Sequence, residues 1–293
     1  MTETSVKICD PIGRKFMTAL TNVAKEAYDE AGLSEEEARR LNSKPELASD
    51  IRLFISINRR APEAFREYPK EYGGPRPIEE QILMLAEICQ LDPGQSLEFA
   101  KGLPKPPIGS EGWFAVPSEV ALACRFHWRV KNQVERHCQA VRFIHEKIGA
   151  SRPFFVECPG NIHPACLYVH VRTVEAMERI AKQQKGDILI IAAQLGKEHA
   201  GCSADDAFKA FKAEEFGLTS FDVGSIALTH PGRFAYEYGL HVLCPGEEAF
   251  DSDYPNKKVT SYHVDRDKAL VFKFACRSVA NPFWGTVTGF PPQ

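Results

Sequence analysis

The sequence predicts an α+β or α/β protein, in which an all-helical N-terminal domain is followed by a mixed α/β domain with a small sheet. Three observations support this fold class. Apolar residues recur at three- and four-residue spacings in the first hundred residues, prolines and glycines cluster at 101–117, and an apolar run at 188–193 is typical of a buried strand. The predicted layout is a helical domain at 1–100, a connector at 101–117 and a mixed domain at 118–293.

Helices are predicted throughout the N-terminal domain. An apolar stripe over 10–32 predicts the first helix, and Ser34 followed by Glu37 is a capping-box spacing that begins a short second helix. A third helix is predicted after Pro45, and a fourth over 78–88. In the connector, prolines remove backbone donors, so no regular structure is expected there.

The predicted mixed domain begins with one long helix. Ser118 caps this helix, and its apolar stripe continues over 118–147. A helix at 171–184 then lies between a strand at 153–157 and a buried strand at 187–194. Further helices are predicted at 204–212 and 220–229, and further strands at 259–264, 269–274 and 286–290.

The composition indicates a packed protein that stays inside the cell. Hydrophobic residues make up 44% and charged residues 26%, which excludes the composition of a disordered chain. No apolar run reaches the roughly 20 residues of a membrane-spanning helix, and the first residues carry no secretory signal. The nine cysteines are scattered without CxxC pairs and are expected to be reduced. We therefore expect a soluble cytoplasmic protein with no membrane partner.

One group of potential metal ligands lies within a short segment. Cys158, His163, Cys166 and His170 carry thiolate and imidazole groups, the ligands that zinc prefers. Their spacing matches no common zinc module, and the favoured alternative is a turn that leads into the next helix with ordinary residues. Zinc is the one cofactor that the sequence brings into consideration.

A catalytic site is considered in the loop after the buried strand, which contains His199, Cys202 and Asp205. In open α/β sheets, ligands bind beyond the carboxyl ends of the strands. Ser203 and Asp206 have the spacing of a helix cap, and the N-terminus of that helix would favour the thiolate of the preceding cysteine. His199 would then act as base, with Asp205 orienting it. The alternative is an ordinary exposed helix start.

A nucleic-acid-binding face is considered on the predicted long helix. Basic residues outnumber acidic residues only in the segment 101–150. Arg125, Arg129 and Arg136 share one face of that helix, where they would contact phosphates. The alternative is a solvated helix face, since the net charge of the chain is −3.

The segment 214–234 places polar residues in an otherwise apolar stretch with several glycines. Glu214, Asp222 and His230 either line a pocket or belong to a structural helix. In the structural interpretation, the aspartate faces solvent and Gly224 permits close packing. We favour the structural interpretation.

This segment, EEFGLTSFDVGSIALTHPGRF, resembles blocks found in hypothetical proteins of bacterial genomes, often from candidate phyla, as do GDILIIAAQLG at 186–196 and GTVTGFPPQ at 285–293. The N-terminal EAGLSEEEARRLNSKPELASDIR is similar to a helical leader on such proteins. The resemblance implies a two-part layout, and it carries over no activity, cofactor or catalytic residue.

The function that the sequence favours is an interaction or accessory protein whose helical domain binds a protein partner. This function predicts no deep polar pocket and an exposed apolar patch on the N-terminal helices. One alternative is a hydrolase or transferase that uses His199 and Cys202 at a helix N-terminus. The other is a nucleic-acid-binding protein that uses the basic helix at 118–147.

Overall fold

A computed structural model describes residues 67–237, 239–251 and 254–291, together with parts of the segment 18–42. The chain divides into two compact units, Met1–Arg60 and Ala61–Gln293. This division lies before the connector predicted at 101–117. The helix predicted at 78–88 therefore belongs to the same unit as the strands.

The first unit contains helix α1 (Glu35–Asn42). The hydroxyl of Ser34 accepts from the backbone N–H of Glu37 at 3.3 Å, and the Ser34 N–H donates to the Glu37 carboxylate at 2.9 Å. This reciprocal capping box confirms the predicted second helix. Every described residue within 18–31 is also helical. The helix predicted after Pro45 lies outside the described residues, so an all-helical domain is not supported.

The second unit mixes helices and strands, as the sequence predicted. Its helices are α2 (Ile78–Cys89), α3 (Gly94–Ala100), α4 (Glu119–Arg125), α5 (Gln133–Ser151), α6 (Val171–Gln184), α7 (Ala204–Ala210) and α8 (Ser220–Thr229). Its strands are β1 (Gly112–Pro117), β2 (Phe154–Val156), β3 (Leu167–Val169), β4 (Ile188–Gln194), β5 (Phe216–Gly217), β6 (His241–Asp251), β7 (Tyr254–Val264), β8 (Leu270–Cys276), β9 (Trp284–Thr286) and β10 (Thr288–Phe290).

The first sheet is antiparallel, with the strand order β1-β4-β10-β5. Strand β4 is buried along its whole length, which confirms the predicted buried strand. Strand β1 lies within the predicted connector, so the expectation of no regular structure is wrong over Gly112–Pro117. The reason is that Pro104, Pro106 and Pro107 precede the strand and Pro117 ends it, which leaves the intervening N–H groups free to donate.

The second sheet has the order β2-β8-β7-β6-β3, and β9 pairs with β6. Strands β2 and β4 therefore lie in different sheets, and the helix α6 between them forms no parallel βαβ unit. An apolar strand can be buried on both faces in an antiparallel sheet as well, when helices cover it. The argument that ligands bind beyond the carboxyl end of β4 does not apply to this topology.

The long helix predicted over 118–147 is wrong, because the chain forms two helices, α4 and α5. Between them, His127 adopts a left-handed backbone with φ of 52°, and Asn132 caps α5 by accepting from the N–H of Glu135 at 2.9 Å. The turn lets Phe126 and Trp128 pack on Phe143 of α5, with ring centroids 4.9 and 5.8 Å away. Aromatic packing thus stabilises the break.

Helix α8 lies at the centre of the second unit, and all of its residues are buried. A Cβ atom on Gly224 would lie 2.7 Å from Ile144 Cγ2 and 3.0 Å from the Tyr262 hydroxyl. Glycine therefore permits α5 and β7 to approach this helix closely. In the part of the chain that the structure describes, no helix is long and apolar enough to cross a membrane.

Candidate functional site

A cavity of about 120 Å³ lies beside the N-terminal ends of helices α4, α5 and α8 and along one side of α6. We call it the helix cavity. Its apolar lining includes Val120, Val174, Met177, Leu189 and Phe221. Its polar lining includes Ser118, Glu119, Gln133, Arg136, Thr173, Glu178, Thr219 and Asp222. The enclosed end is marked by buried Leu189, Phe221 and Asp222, and exposed Gln133 and Glu178 mark the mouth.

Helix caps place two of the three carboxyl groups that line the cavity, those of Glu119 and Asp222. Ser118 caps α4 by accepting from the N–H of Ala121 at 3.3 Å, so Glu119 is the first residue of that helix. Thr219 caps α8 in a capping box with Asp222, whose carboxylate accepts from the Thr219 N–H at 2.9 Å and from its hydroxyl at 2.8 Å. Both positions are ones at which acidic residues stabilise a helix.

His137 of α5 bridges two carboxylates. Its Nδ1 lies 2.6 Å from Glu119 Oε1, and its Nε2 lies 2.6 Å from Glu247 Oε2 on β6. Both His137 and Glu247 are buried, with exposed fractions of 1% and 0%. Burial alone lowers the pKa of His137, but the charges and hydrogen bonds of the two carboxylates raise it to about 10. The imidazole is therefore protonated at neutral pH and donates to both carboxylates.

Glu247 is ionised although it is fully buried. Burial raises its pKa, but His137 and further hydrogen bonds hold the pKa below its ordinary value of 4.5. Its Oε1 accepts from the N–H of Ser220 at 3.0 Å and from the hydroxyl of Thr260. Such a buried charge is tolerated only when its lone pairs are satisfied, and here they are.

Asp222 has a different environment from Glu119. It is only 2% exposed, and burial raises its pKa from 3.8 to about 6. Hydrogen bonds from Thr219 and the charge of His137 lower the pKa of Asp222, whereas the nearby charge of Glu119 raises it further. Asp222 therefore exchanges a proton close to neutral pH. The side chain of Glu119 is in a more open position, with 23% of its surface exposed, and it accepts a hydrogen bond from His137.

Arg136 adds a donor to the cavity wall. Its Nε lies 3.7 Å from Glu119 Oε2, which is an ion-pair distance but longer than a hydrogen bond. Within the described structure, this buried Nε–H has no hydrogen-bond acceptor. The contact of Arg136 with Glu119 is therefore an ion pair rather than a hydrogen bond from Nε.

His199 and Asp205 of the predicted catalytic loop contact residues outside that loop. His199 is buried, and its Nε2 lies 3.0 Å from Glu215 Oε1. Asp205 forms an ion pair with Arg277 at 3.0 Å, and Cys202 is exposed. The structure therefore pairs His199 and Asp205 with other residues rather than with each other.

The helix start predicted in this loop is present. Ser203 caps α7 by accepting from the N–H of Asp206 at 3.1 Å, and the Asp206 carboxylate accepts from the Ser203 hydroxyl at 2.8 Å. The Asp206 carboxylate also pairs with Lys209. These contacts show that the spacing of Ser203 and Asp206 is that of a helix cap.

The four potential zinc ligands are not gathered. Cys158 is exposed, His163 Nδ1 accepts from the N–H of Ala165, and His170 Nδ1 caps α6 by accepting from the N–H of Arg172. Cys166 is half-buried and lies just before β3. Among the described residues, no three His, Cys, Asp or Glu side chains are arranged to hold a metal ion.

The three arginines of the predicted basic face do not share one helix. Arg125 ends α4 and donates to the backbone and side chain of Gln90 at 2.9 and 3.1 Å. Arg129 lies exposed in the turn between α4 and α5, and Arg136 faces the helix cavity. The break in the predicted long helix separates them.

Of the three polar residues singled out in the segment 214–234, Asp222 lines the helix cavity, and Glu214 and His230 do not. Asp222 is buried at the cavity rather than facing solvent, whereas Glu214 pairs with Arg179 at the surface. His230 accepts from the backbone N–H of Arg76 at 3.0 Å. Helix α8 thus contributes Asp222 to the cavity wall and Gly224 to the close packing against α5 and β7.

Sequence reasoning did not find Glu119, His137 and Glu247. The cap at Ser118 was visible, but nothing in the pattern connects His137 with a residue 110 positions later. No family model, curated protein or solved structure matches this chain, so the chemistry of the helix cavity has to be argued from its own residues.

Proposed function

We propose that this chain is an enzyme that transfers protons on a small molecule bound in the helix cavity, with Glu119 accepting a proton and Asp222 donating one. The observation that carries the proposal is that Glu119 and Asp222 both line one cavity, which is open to solvent at its mouth. General acid–base catalysis needs one positioned group that accepts a proton and one that donates a proton.

The unequal environments of the two carboxyl groups support these roles. Glu119 accepts a hydrogen bond from the protonated His137, so it suits the role of base. Asp222 lies at the buried end, where its pKa of about 6 keeps part of the population protonated near neutral pH. Carboxyl pairs separated in this way divide the acid and base roles in enzymes.

The size and lining of the cavity limit the substrate. A volume of about 120 Å³ is close to that of apolar cavities of about 150 Å³ that bind benzene. Val174, Met177, Leu189 and Phe221 supply apolar surface. The substrate is therefore a small molecule with an apolar body.

The cavity also distinguishes this proposal from an interaction protein. The sequence favoured a protein partner, whereas the helix cavity, with Asp222 at 2% exposure on its wall, supports a small-molecule ligand. Binding of a protein partner stays a prediction that does not depend on the cavity.

Turnover of a panel of small ketones, esters, amides and lactones tests the proposal. Nuclear magnetic resonance in deuterated water follows both consumption and deuterium uptake for each compound. We expect the wild type to convert at least one compound, and Glu119→Gln and Asp222→Asn to lower that rate by about a hundredfold each. Glu175→Gln, on the exposed side of α6, is the matched control. Equal rates in all four proteins would exclude this function.

A further inference from the structure

We infer that the ligand of the helix cavity carries an amino group, which binds as an ammonium cation to Oδ1 of Asp222 at the buried end. This inference rests on the proposed function and names its substrate class, a small amine with an apolar body. It starts from the Asp222 side chain, which lines the cavity although the residue is only 2% exposed.

One oxygen of this carboxylate is available to a ligand. Oδ2 accepts from the Thr219 N–H at 2.9 Å and from the Thr219 hydroxyl at 2.8 Å. Within the part of the chain that the structure describes, Oδ1 accepts no hydrogen bond, and it is not one of the fully buried side-chain atoms that lack a partner. Oδ1 therefore keeps accessible surface at the cavity wall, where an N–H donor can reach it.

Two hydroxyl groups of the cavity lining offer acceptors rather than donors. The Thr173 hydroxyl donates to the carbonyl of Gly217 at 2.8 Å, and the Thr219 hydroxyl donates to Asp222. A hydroxyl group has a single proton, so each of these oxygens can only accept a further hydrogen bond. An ammonium group supplies N–H donors and no acceptor, so it matches this lining.

The charges around the cavity also favour a cation. Acidic side chains of Glu119, Glu178 and Asp222 line it, and the basic side chain of Arg136 lies at ion-pair distance from Glu119. The positive charge of His137 is held between two carboxylates. The resulting negative potential attracts a cation and repels an anion.

The cation is organic rather than a metal ion. Among the described residues, no three His, Cys, Asp or Glu side chains are arranged to hold a metal. Val174, Met177, Leu189 and Phe221 give the same cavity an apolar surface, which a hard metal cation does not use. An alkylammonium ion uses both parts, because its N–H groups donate to Asp222 and its carbon chain packs on the apolar side chains.

This complex agrees with the donor role proposed for Asp222. When a neutral amine meets the protonated carboxyl group, the O–H bond breaks, its electron pair stays on the oxygen, and the nitrogen lone pair takes the proton. The product is an ammonium–carboxylate pair. The same pair forms when an ammonium ion meets ionised Asp222, and Glu119 stays available as the base in both cases.

Chemical-shift titrations with butylamine, 1-butanol and butyrate test the inference. These probes have similar carbon chains and carry a positive charge, no charge and a negative charge at neutral pH. We expect the wild type to bind butylamine roughly tenfold more tightly than 1-butanol, and to bind butyrate least. Asp222→Asn, which keeps the size of the side chain, should lose this preference. Glu175→Gln, on the exposed side of α6, is the matched control and should keep it.

A second variant separates the contact with Asp222 from the general negative charge. Glu178 is exposed at the mouth, where solvent screens its charge, so Glu178→Gln should weaken butylamine binding less than Asp222→Asn does. An equal loss in both variants would overturn the placement of the ammonium group at Oδ1.

A measurement on the wild type covers the case in which Asp222→Asn does not fold. The ¹³C carboxyl signal of Asp222 should titrate at lower pH with butylamine than without it, because an ammonium group stabilises the ionised form. An unchanged midpoint, or equal affinity for butylamine and 1-butanol, would overturn the inference. The proposed function would survive that result if Glu119→Gln still stopped turnover of some other compound. If Asp222 binds butylamine but the protein converts no compound, amino-substituted ones included, the proposed function fails and the ligand class stands.

Discussion

The side-chain amide of Gln81 hydrogen-bonds Ala115 on the free edge of strand β1. Its oxygen accepts from the Ala115 N–H at 3.0 Å, and its nitrogen donates to the Trp113 carbonyl at 3.0 Å. One buried glutamine thus replaces the neighbouring strand that β1 lacks on this side. On β4, Gln184 makes the same pair of contacts with the N–H and C=O of Ile190, at 2.7 Å each. These contacts satisfy backbone groups of Trp113, Ala115 and Ile190 that no neighbouring strand pairs.

Replacing Gln81 with methionine should destabilise the protein. The variant keeps the size of the side chain but leaves the Ala115 N–H and the Trp113 carbonyl unsatisfied, so we expect a loss of about 3 kcal/mol in the free energy of unfolding. Urea denaturation followed by circular dichroism measures this loss. Gln183→Met, at an exposed position of α6, is the control and should change stability little. Equal stability of both variants would contradict the role of Gln81.

Two glycines in helices should respond to alanine with opposite signs. Gly224→Ala places a Cβ 2.7 Å from Ile144 Cγ2, and we expect this overpacking to cost about 1–3 kcal/mol. Gly149 of α5 has no atom within 4 Å of the added Cβ, so Gly149→Ala should stabilise the protein by about 0.5–1 kcal/mol. Thermal unfolding of both variants gives the comparison. A stabilised Gly224→Ala variant would mean that α5 and α8 do not pack as described.

The buried pair of His137 and Glu247 should be strongly coupled. Removing His137 leaves the buried charge of Glu247 without its ionic partner, and we expect a cost of about 3–5 kcal/mol for His137→Gln. A double-mutant cycle with Glu247→Gln should give a coupling free energy of about 2 kcal/mol. The exposed pair of Arg179 and Glu214 provides the reference cycle, for which we expect less than about 1 kcal/mol. Additive losses in the first cycle would contradict the bridged arrangement.

The bridge should also make stability fall at alkaline pH. The pKa of His137 is raised from 6.5 to about 10, so the native state keeps this proton where the unfolded state has lost it. The stabilisation is therefore complete below about 6.5 and disappears as pH rises through about 10. We expect the difference in unfolding free energy between wild type and His137→Gln to shrink by a few kcal/mol over that range. A difference that is constant with pH would argue against a protonated bridge.

The parts of the fold that sequence reasoning predicted are those set by local patterns. Helix α6 has the predicted bounds because local features set them. These features are the apolar spacing, the cap at His170 and the left-handed residue Lys185 after the last turn. The break between α4 and α5 was missed because the apolar spacing continues through it, while the packing of Phe126 on Phe143 is not local. The buried strand β4 was predicted, but its antiparallel partners depend on segments far along the chain.

The candidate site was harder to predict for the same reason. Asp222 stood out as a polar residue in an apolar helix, but its pattern equally suited a surface position. Glu119 looked like an ordinary acidic residue in a first helical turn. Only the fold brings His137 between Glu119 and Glu247, and no spacing in the sequence encodes that contact.

Titration of the Asp222 carboxyl group by ¹³C nuclear magnetic resonance tests the acid–base pair most directly. Burial and the charge of Glu119 both raise this pKa, while hydrogen bonds from Thr219 and the charge of His137 lower it. We predict a midpoint near 6 in the wild type and a clearly lower midpoint in Glu119→Gln, since that substitution removes the neighbouring negative charge. A midpoint near the ordinary value of 3.8 in both proteins would contradict the pairing of these carboxyl groups in one cavity.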